Sequence, residues 1–109
     1  MEKWNNRKTE DLMKAILTLK NISEAKIFFR DLMTEEEIIE FGNRWKAARM
    51  LNDKIPYVKI AKETGLSSTT IARVSKWLNK GMNGYKLILR RLQHHHNSST
   101  SGKEMCLCF

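Results

Sequence analysis

Apolar residues recur three and four residues apart through the first third of the chain, a spacing that predicts amphipathic helices. We expect a first helix over about 7–20 and a second over about 24–33. The positions that carry the pattern are Leu12, Ile16 and Leu19 in the first, and Ile27, Phe28 and Leu32 in the second. Asn21 is expected to end the first helix, and Ser23 is a suitable N-cap for the second.

A third, longer helix is predicted to begin at Thr34 and to stop at residues 52–53. Thr34 and Glu37 form the pattern of a capping box, in which each side chain accepts a hydrogen bond from the other residue's backbone N–H. Three glutamates in the first turn also suit the positive end of the helix dipole. The apolar stripe that follows consists of Ile38, Phe41, Trp45, Ala48 and Leu51.

The second half of the chain predicts three shorter helices: one over about 56–64, one ending at about residue 79, and one over about 84–92. Pro56 fits the first turn of the fourth helix, and Gly65 breaks that helix. No alternating strand pattern is present, so a single all-α domain is expected.

That domain is expected to cover residues 1–92. Residues 93–109 are polar, low in complexity and aperiodic. A segment of this composition cannot bury enough apolar surface to fold, so we expect a disordered tail.

Residues 57–76 meet the requirements of two helices that cross over a tight turn. Ala61 provides the small side chain needed where the helices approach, and Gly65 tolerates a positive φ in the turn. Ser67 or Ser68 caps the second helix. Apolar side chains must fill the angle between the helices, and the candidates are Ile60, Leu66, Ile71 and Val74. The spacing is typical of a DNA-binding helix-turn-helix.

The formal net charge of +8 is confined to one segment. Residues 1–53 hold ten Lys/Arg and ten Asp/Glu, and residues 93–109 hold one of each. Residues 54–92 hold nine Lys/Arg, and Glu63 is their only acidic residue. A basic segment in an otherwise balanced chain indicates a polyanionic partner.

The second helix of the 57–76 unit carries the side chains of a DNA reader. Hydroxyls at a helix N-terminus bind phosphates or base edges, and the candidates are Ser67, Ser68, Thr69 and Thr70. Ser68, Thr69 and Ala72 are expected to point into the groove. The cations suited to flanking phosphates are Lys59, Lys62, Arg73 and Lys76. An ordinary helical hairpin with a serine cap is the alternative, but the confined positive charge favours double-stranded DNA.

Other chemistry is not indicated. The chain has no membrane-length apolar run, its N-terminal residues are too polar for a signal peptide, and Cys106 and Cys108 are too close together to staple a core. We therefore expect a cytoplasmic protein. The histidines at 94–96 lack a preformed metal geometry, and Glu35–Glu37 are explained as a helix start. We predict no metal, no cofactor and no enzymatic activity.

Several segments form a pattern that extends well beyond the helix-turn-helix: FFRDLMT, RWKAARML, TGLSSTTIARV and the following LN-G-Y stretch. Through these segments the chain resembles the Trp repressor family over about residues 10–92, and in particular its Trp-repressor-like proteins of the YerC/YecD type. The resemblance implies a bacterial protein with six helices that forms an intertwined homodimer. Helices one, two, three and six would share the core, and helices four and five would form the DNA-binding head.

The resemblance also implies a candidate effector pocket whose polar residues are Thr34, Arg44 and Arg73. Two positions depart from the tryptophan-sensing members: Val74 stands where those members have glycine, and Trp77 replaces a small serine. Both substitutions fill space in the pocket, and the indole of Trp77 could itself occupy the position of the effector. We therefore expect no tryptophan co-repressor, and the identity of any other effector stays open. A solvated helix face or phosphate contacts would explain the two arginines equally well.

These observations favour a dimeric transcriptional regulator, a repressor by resemblance, that reads a pseudo-palindromic site in duplex DNA. One alternative is a DNA-binding module for replication or chromosome organisation, which genome-wide occupancy would distinguish. Another is an RNA-associated or protein-interaction dimer, which competition between duplex DNA and RNA would distinguish.

Overall fold

The computed structural model describes residues 2–98, with the backbone alone described after Gln93. Over this range the chain forms six helices and no strand, so the predicted all-α fold is confirmed. The helices are α1 (Arg7–Ile16), α2 (Ile22–Leu32), α3 (Glu35–Asn52), α4 (Tyr57–Thr64), α5 (Ser68–Lys80) and α6 (Gly84–Ser98). None of the helices in the described range is long and apolar enough to cross a membrane. The chain divides into two compact units, one up to Glu40 and one from Phe41 onward.

The first helix is shorter than its apolar pattern predicts. α1 ends at Ile16 rather than near residue 20. Beyond it, the N–H of Thr18 donates to the carbonyl of Ala15 at 3.0 Å, and that of Leu19 donates to Ile16 at 3.1 Å. These hydrogen bonds span three residues instead of four, so the α-helix ends here. The apolar spacing continues past the end of α1, because Leu19 is partly buried although it does not belong to the helix.

The N-terminus of α2 is capped by a single asparagine, and that of α3 by a capping box. Asn21 caps α2, since its side-chain oxygen accepts from the N–H of Glu24 at 2.9 Å. The prediction of Ser23 as the cap was wrong; asparagine and serine cap equally well, so the local sequence does not separate them. The capping box of α3 is confirmed. Thr34 N–H donates to the Glu37 carboxylate at 2.9 Å, and Glu37 N–H donates to the Thr34 hydroxyl at 3.1 Å.

The first unit has an uncovered apolar surface. Neither α1 nor α2 contains a buried residue. Leu17 is 83% exposed, Ile27 66% and Ile39 61%. The two isoleucines border an apolar groove of about 510 Å³ between α2 and the start of α3. The described residues of this unit therefore leave much of its apolar surface in contact with solvent.

The second unit has a buried core where α3, α4 and α5 meet. Ala47 and Ala48 of α3 are fully buried, and their small side chains allow the helices to approach closely. The other members of this core are Ile60, Leu66, Ile71 and Val74. These four residues are the ones predicted to fill the angle between the two helices, and their burial confirms that prediction. The core thus holds α4 and α5 against α3.

Two further helix ends differ from the sequence prediction. Pro56 is the N-cap of α4, with extended backbone angles, and does not lie within its first turn. α6 continues to Ser98 instead of ending near residue 92. Backbone hydrogen bonding can carry a helix through polar residues that have no apolar periodicity, so the sequence pattern did not reveal this extension. The disordered tail stays a prediction. Residues 99–109, with both cysteines, lie outside the described residues.

Candidate nucleic-acid interface

The turn between α4 and α5 has the conformation that the sequence predicts. Gly65 adopts φ +76° and donates its N–H to the carbonyl of Ala61 at 2.8 Å. Thr64, which the sequence did not single out, is buried beside it. Its hydroxyl donates to the carbonyl of Ile60 at 2.8 Å and accepts from the N–H of Leu66 at 3.2 Å. The turn is therefore held from both sides by hydrogen bonds.

The hydroxyl cluster at the start of α5 separates into two pairs. Ser67 caps α5, because its hydroxyl accepts from the N–H of Thr70 at 3.1 Å and also lies 3.1 Å from the Thr70 hydroxyl. Ser68 and Thr69 are exposed, and within the described part of the chain their hydroxyls form no hydrogen bond. Only Ser68 and Thr69 can therefore offer all of their hydrogen-bonding capacity to an external partner.

One face of α5 is buried, and the opposite face is exposed. Ile71, Val74 and Leu78 lie on the buried face, with at most 4% of each side chain accessible. The exposed side, which we call the reading face, consists of Ser68, Thr69, Ala72, Arg73 and Lys76. Two small hydroxyls and a methyl group lie near the N-terminus, and two cations lie farther along. The structure therefore brings together five of the nine predicted DNA-binding residues on one surface.

The electrostatics of the head depend on a contact that the sequence did not reveal. Glu63 is the only acidic residue of the basic segment, and Lys46 of α3 forms an ion pair with it at 3.5 Å. Both side chains are partly exposed, so the pair contributes little to stability. Its consequence is electrostatic: the carboxylate is compensated from α3, while Lys59 and Lys62 of α4 stay exposed. No signal in the sequence predicts which lysine provides this compensation.

An aromatic cavity lies beside α5. The rings of Trp45 and Tyr85 stack with centroids 6.2 Å apart and planes at 27°. Burial raises the pKa of Tyr85, and the guanidinium of Arg44 opposes that shift. The cavity has a volume of about 560 Å³ and is lined by Trp45, Trp77, Met82, Gly84, Tyr85 and Ile88. It therefore offers a mainly apolar environment.

The residues of the predicted effector pocket have different surroundings. Trp77 is 43% exposed at the cavity. Neither Arg44 nor Arg73 lines the cavity, and Arg44 lies over the ring of Phe41 at 5.3 Å. Thr34 belongs to the first unit, where it caps α3. An effector pocket formed by these four residues stays a prediction.

The fold has counterparts in known proteins. Residues 7–93 match the family described as Trp repressor protein. The chain therefore belongs to the Trp repressor family, a class of DNA-binding regulators.

Individual relatives support this assignment. YerC of Bacillus subtilis (strain 168), described as uncharacterised, is 38% identical over 101 residues, covering 93% of this chain and 97% of that protein. A TrpR-like protein from Eubacterium eligens is 41% identical with a TM-score of 0.80, covering 84% of this chain and 94% of its own. A Staphylococcus aureus protein assigned provisionally as a Trp repressor is 37% identical with a TM-score of 0.79, covering 84% and 91%. The predicted resemblance to YerC-type proteins is confirmed.

Proposed function

We propose that this protein is a sequence-specific transcriptional regulator, acting as a repressor, that reads duplex DNA through α5. The observation that carries the proposal is the composition of the reading face. Ser68, Thr69 and Ala72 are small enough for the helix to approach base edges closely. Arg73 and Lys76 lie beside them and are suited to backbone phosphates. The α4 lysine Lys59 extends the positive surface.

The proposal includes a homodimer that presents two reading faces to successive major grooves about one helical turn apart. The uncovered apolar surface of the first unit supports it, because a monomer would leave side chains such as Leu17 and Ile27 in water. A second copy that covers these side chains would gain roughly 25 cal/mol for each Å² of apolar area buried. Each copy would then supply one half-site contact.

DNA binding is proposed to be independent of tryptophan. Val74 is fully buried in the core, where its side chain fills space that a glycine would leave open. Among the described residues, no charged side chain lines the cavity next to Trp77. The carboxylate and ammonium of a free amino acid would therefore find no charged partner among the described residues that line this cavity. These two features support a regulator that needs no tryptophan co-repressor.

Selection of bound sequences from random duplex DNA, with and without tryptophan, tests the proposal. We expect enrichment of a pseudo-palindromic site, the same in both conditions. Thr69→Ala is expected to change the preferred bases, whereas Arg73→Ala should weaken binding to all sequences alike. Failure to enrich any sequence would contradict sequence-specific reading, and a shift in affinity with tryptophan would contradict only the independence from that ligand.

Two measurements separate this function from its alternatives. A replication or chromosome-organising module would occupy origins or broad regions of the genome, whereas a regulator is expected at a few promoters. An RNA-associated dimer would prefer RNA to duplex DNA of equal length in direct competition. We expect the duplex to be preferred, and a preference for RNA would overturn the proposal.

A further inference from the structure

A second basic site, which shares no residue with the reading face, lies in a groove between α6 and the end of α3. Four residues of α6 line it, at positions that share one helical face. The groove has a volume of about 220 Å³ and is lined by Asn52, Lys86, Leu89, Arg90 and Gln93. Its polar atoms are thus an ammonium, a guanidinium and two side-chain amides, all capable of donating hydrogen bonds.

Within the described residues, the two cations of this groove have no acidic partner, since neither Lys86 nor Arg90 forms an ion pair with a described carboxylate. From Thr64 to Ser98 the sequence contains no Asp or Glu. Lys86 is also half-buried, so part of its hydration is already lost.

Both charges are placed where they weaken α6. Lys86 lies in the first turn, where the helix dipole disfavours a cation, and no acidic residue occupies that turn. Lys86 and Arg90 are four residues apart on one face, where like charges repel. An arrangement that costs helix stability twice is explained by a bound anion that relieves both effects.

We infer that this groove binds a phosphate group. Arginine and lysine together with two amide donors match the oxygens of a phosphate, and charge-assisted hydrogen bonds of this kind are short and strong. The volume is below the 300–1,000 Å³ or so of sites for drug-sized ligands, so the site takes a phosphoryl group and not a whole large cofactor. The inference does not depend on the proposed function.

The probe is inorganic phosphate, added to the full-length protein at constant ionic strength with sodium chloride as the control salt. The side-chain amide signals of Asn52 and Gln93 are followed by nuclear magnetic resonance. We expect saturable shifts with phosphate alone, and a loss of affinity of roughly tenfold for each cation removed in Lys86→Gln and Arg90→Gln. The matched variant Arg73→Gln/Lys76→Gln should keep the shifts.

Stability gives an independent readout. In phosphate-free buffer, Lys86→Gln is expected to raise the midpoint of urea unfolding, because it removes a repulsion and an unfavourable dipole interaction. Phosphate should raise the midpoint of the wild type and leave that of Lys86→Gln/Arg90→Gln unchanged. The inference would be overturned if the amide shifts grew linearly with phosphate and chloride produced equal shifts. It would also be overturned if phosphate stabilised Lys86→Gln/Arg90→Gln as much as it stabilises the wild type.

Two sources could supply the phosphate group, and a measurement of DNA binding distinguishes them. If the backbone of duplex DNA occupies the groove, Lys86→Gln/Arg90→Gln will lower the salt slope of DNA binding by about 0.9 for each phosphate that the variant no longer neutralises. If a small phosphorylated molecule occupies it, that slope stays at the wild-type value although phosphate binds. Either result supports the phosphate site. If the reading face failed to bind DNA, the phosphate titration would still test this site, because it does not involve DNA.

Discussion

Gly65 adopts a backbone conformation that few other residues take at low cost. At φ +76° it lies in the left-handed region, and a Cβ added there would meet no atom within 4 Å. The requirement for glycine is therefore one of backbone conformation and not of space. The angle between α4 and α5, and with it the position of the reading face, depends on this residue.

Gly65→Ala is predicted to destabilise the protein by about 1 kcal/mol, the cost of placing an L side chain in the left-handed region. Gly42→Ala is the matched control, since a Cβ at Gly42 also meets nothing within 4 Å but the residue is helical. That control should stabilise by about 0.5–1 kcal/mol. Urea unfolding at one protein concentration measures both, and equal effects at the two positions would contradict the explanation.

Tyr85 provides a second prediction at this scale. Burial holds its pKa above the ordinary value of 10.0, with Arg44 opposing. The folded state therefore binds the phenolic proton more tightly than the unfolded state, and this stability is present below pH 10 and lost as the pH rises further. Unfolding free energies measured from about pH 9 to about pH 11 should fall more steeply for the wild type than for Tyr85→Phe. Parallel curves would contradict the assignment.

Some of these residues could be predicted from the sequence, and others could not. Gly65 and Ala61 were found because a tight two-helix turn requires their residue types. The ion pair between Lys46 and Glu63 was not, because it joins helices that meet only in the tertiary structure. Thr64 was missed because its hydroxyl bonds satisfy backbone groups of a turn whose geometry must be known first.

At the scale of the helix, α5 divides its polar residues between stability and recognition. Ser67 and Thr70 bond to each other and to the backbone at the N-terminus. Ser68 and Thr69 lie between them in the sequence and face solvent. A cluster that looks uniform in sequence thus contains a structural pair and a pair available for binding.

Ser67→Ala and its neighbour Ser68→Ala make a matched comparison. Loss of the Ser67 cap is expected to cost about 1 kcal/mol of unfolding free energy. Ser68→Ala should leave stability within about 0.5 kcal/mol of wild type and weaken binding to duplex DNA. Thermal unfolding and DNA titration of both variants test this division, which would be wrong if Ser68→Ala destabilised as much as Ser67→Ala.

Helix ends were the least predictable feature at this scale. Apolar spacing extended the predicted first helix through Leu19, although α1 ends at Ile16, because turn residues can also face the protein. The same criterion ended the sixth helix near residue 92, although α6 reaches Ser98. Apolar periodicity reports which residues face a core, while backbone hydrogen bonding sets where a helix stops.

For the whole molecule, the two units differ in how well they bury their apolar residues. The second unit has a closed core around Ile60, Ile71 and Val74. The first leaves Leu17 and Ile27 largely exposed. The sequence predicted Ile27, like the residues of the closed core, as part of an apolar helix face, but spacing alone does not tell whether a face is covered by its own chain or by another.

The proposed homodimer makes unfolding dependent on protein concentration. A tenfold dilution should lower the melting temperature, because the folded state is stabilised by association. Ile27→Ser, on the exposed surface of α2, is expected to shift sedimentation equilibrium towards monomer. A melting temperature that does not depend on protein concentration, with monomers at all concentrations, would contradict the dimer. It would not contradict DNA binding through the reading face.

The salt dependence of DNA binding tests the central claim, that α5 reads duplex DNA, most directly. Affinity for the selected site is measured against salt concentration for the wild type, for Arg73→Gln/Lys76→Gln, and for Lys8→Gln/Lys20→Gln, which makes the same change of charge in the first unit, outside its apolar groove. We predict that the reading-face variant loses affinity and that its slope falls by about 0.9 for each phosphate it no longer neutralises, while the control keeps the wild-type slope. Equal losses of affinity in both variants, or none in either, would contradict the claim.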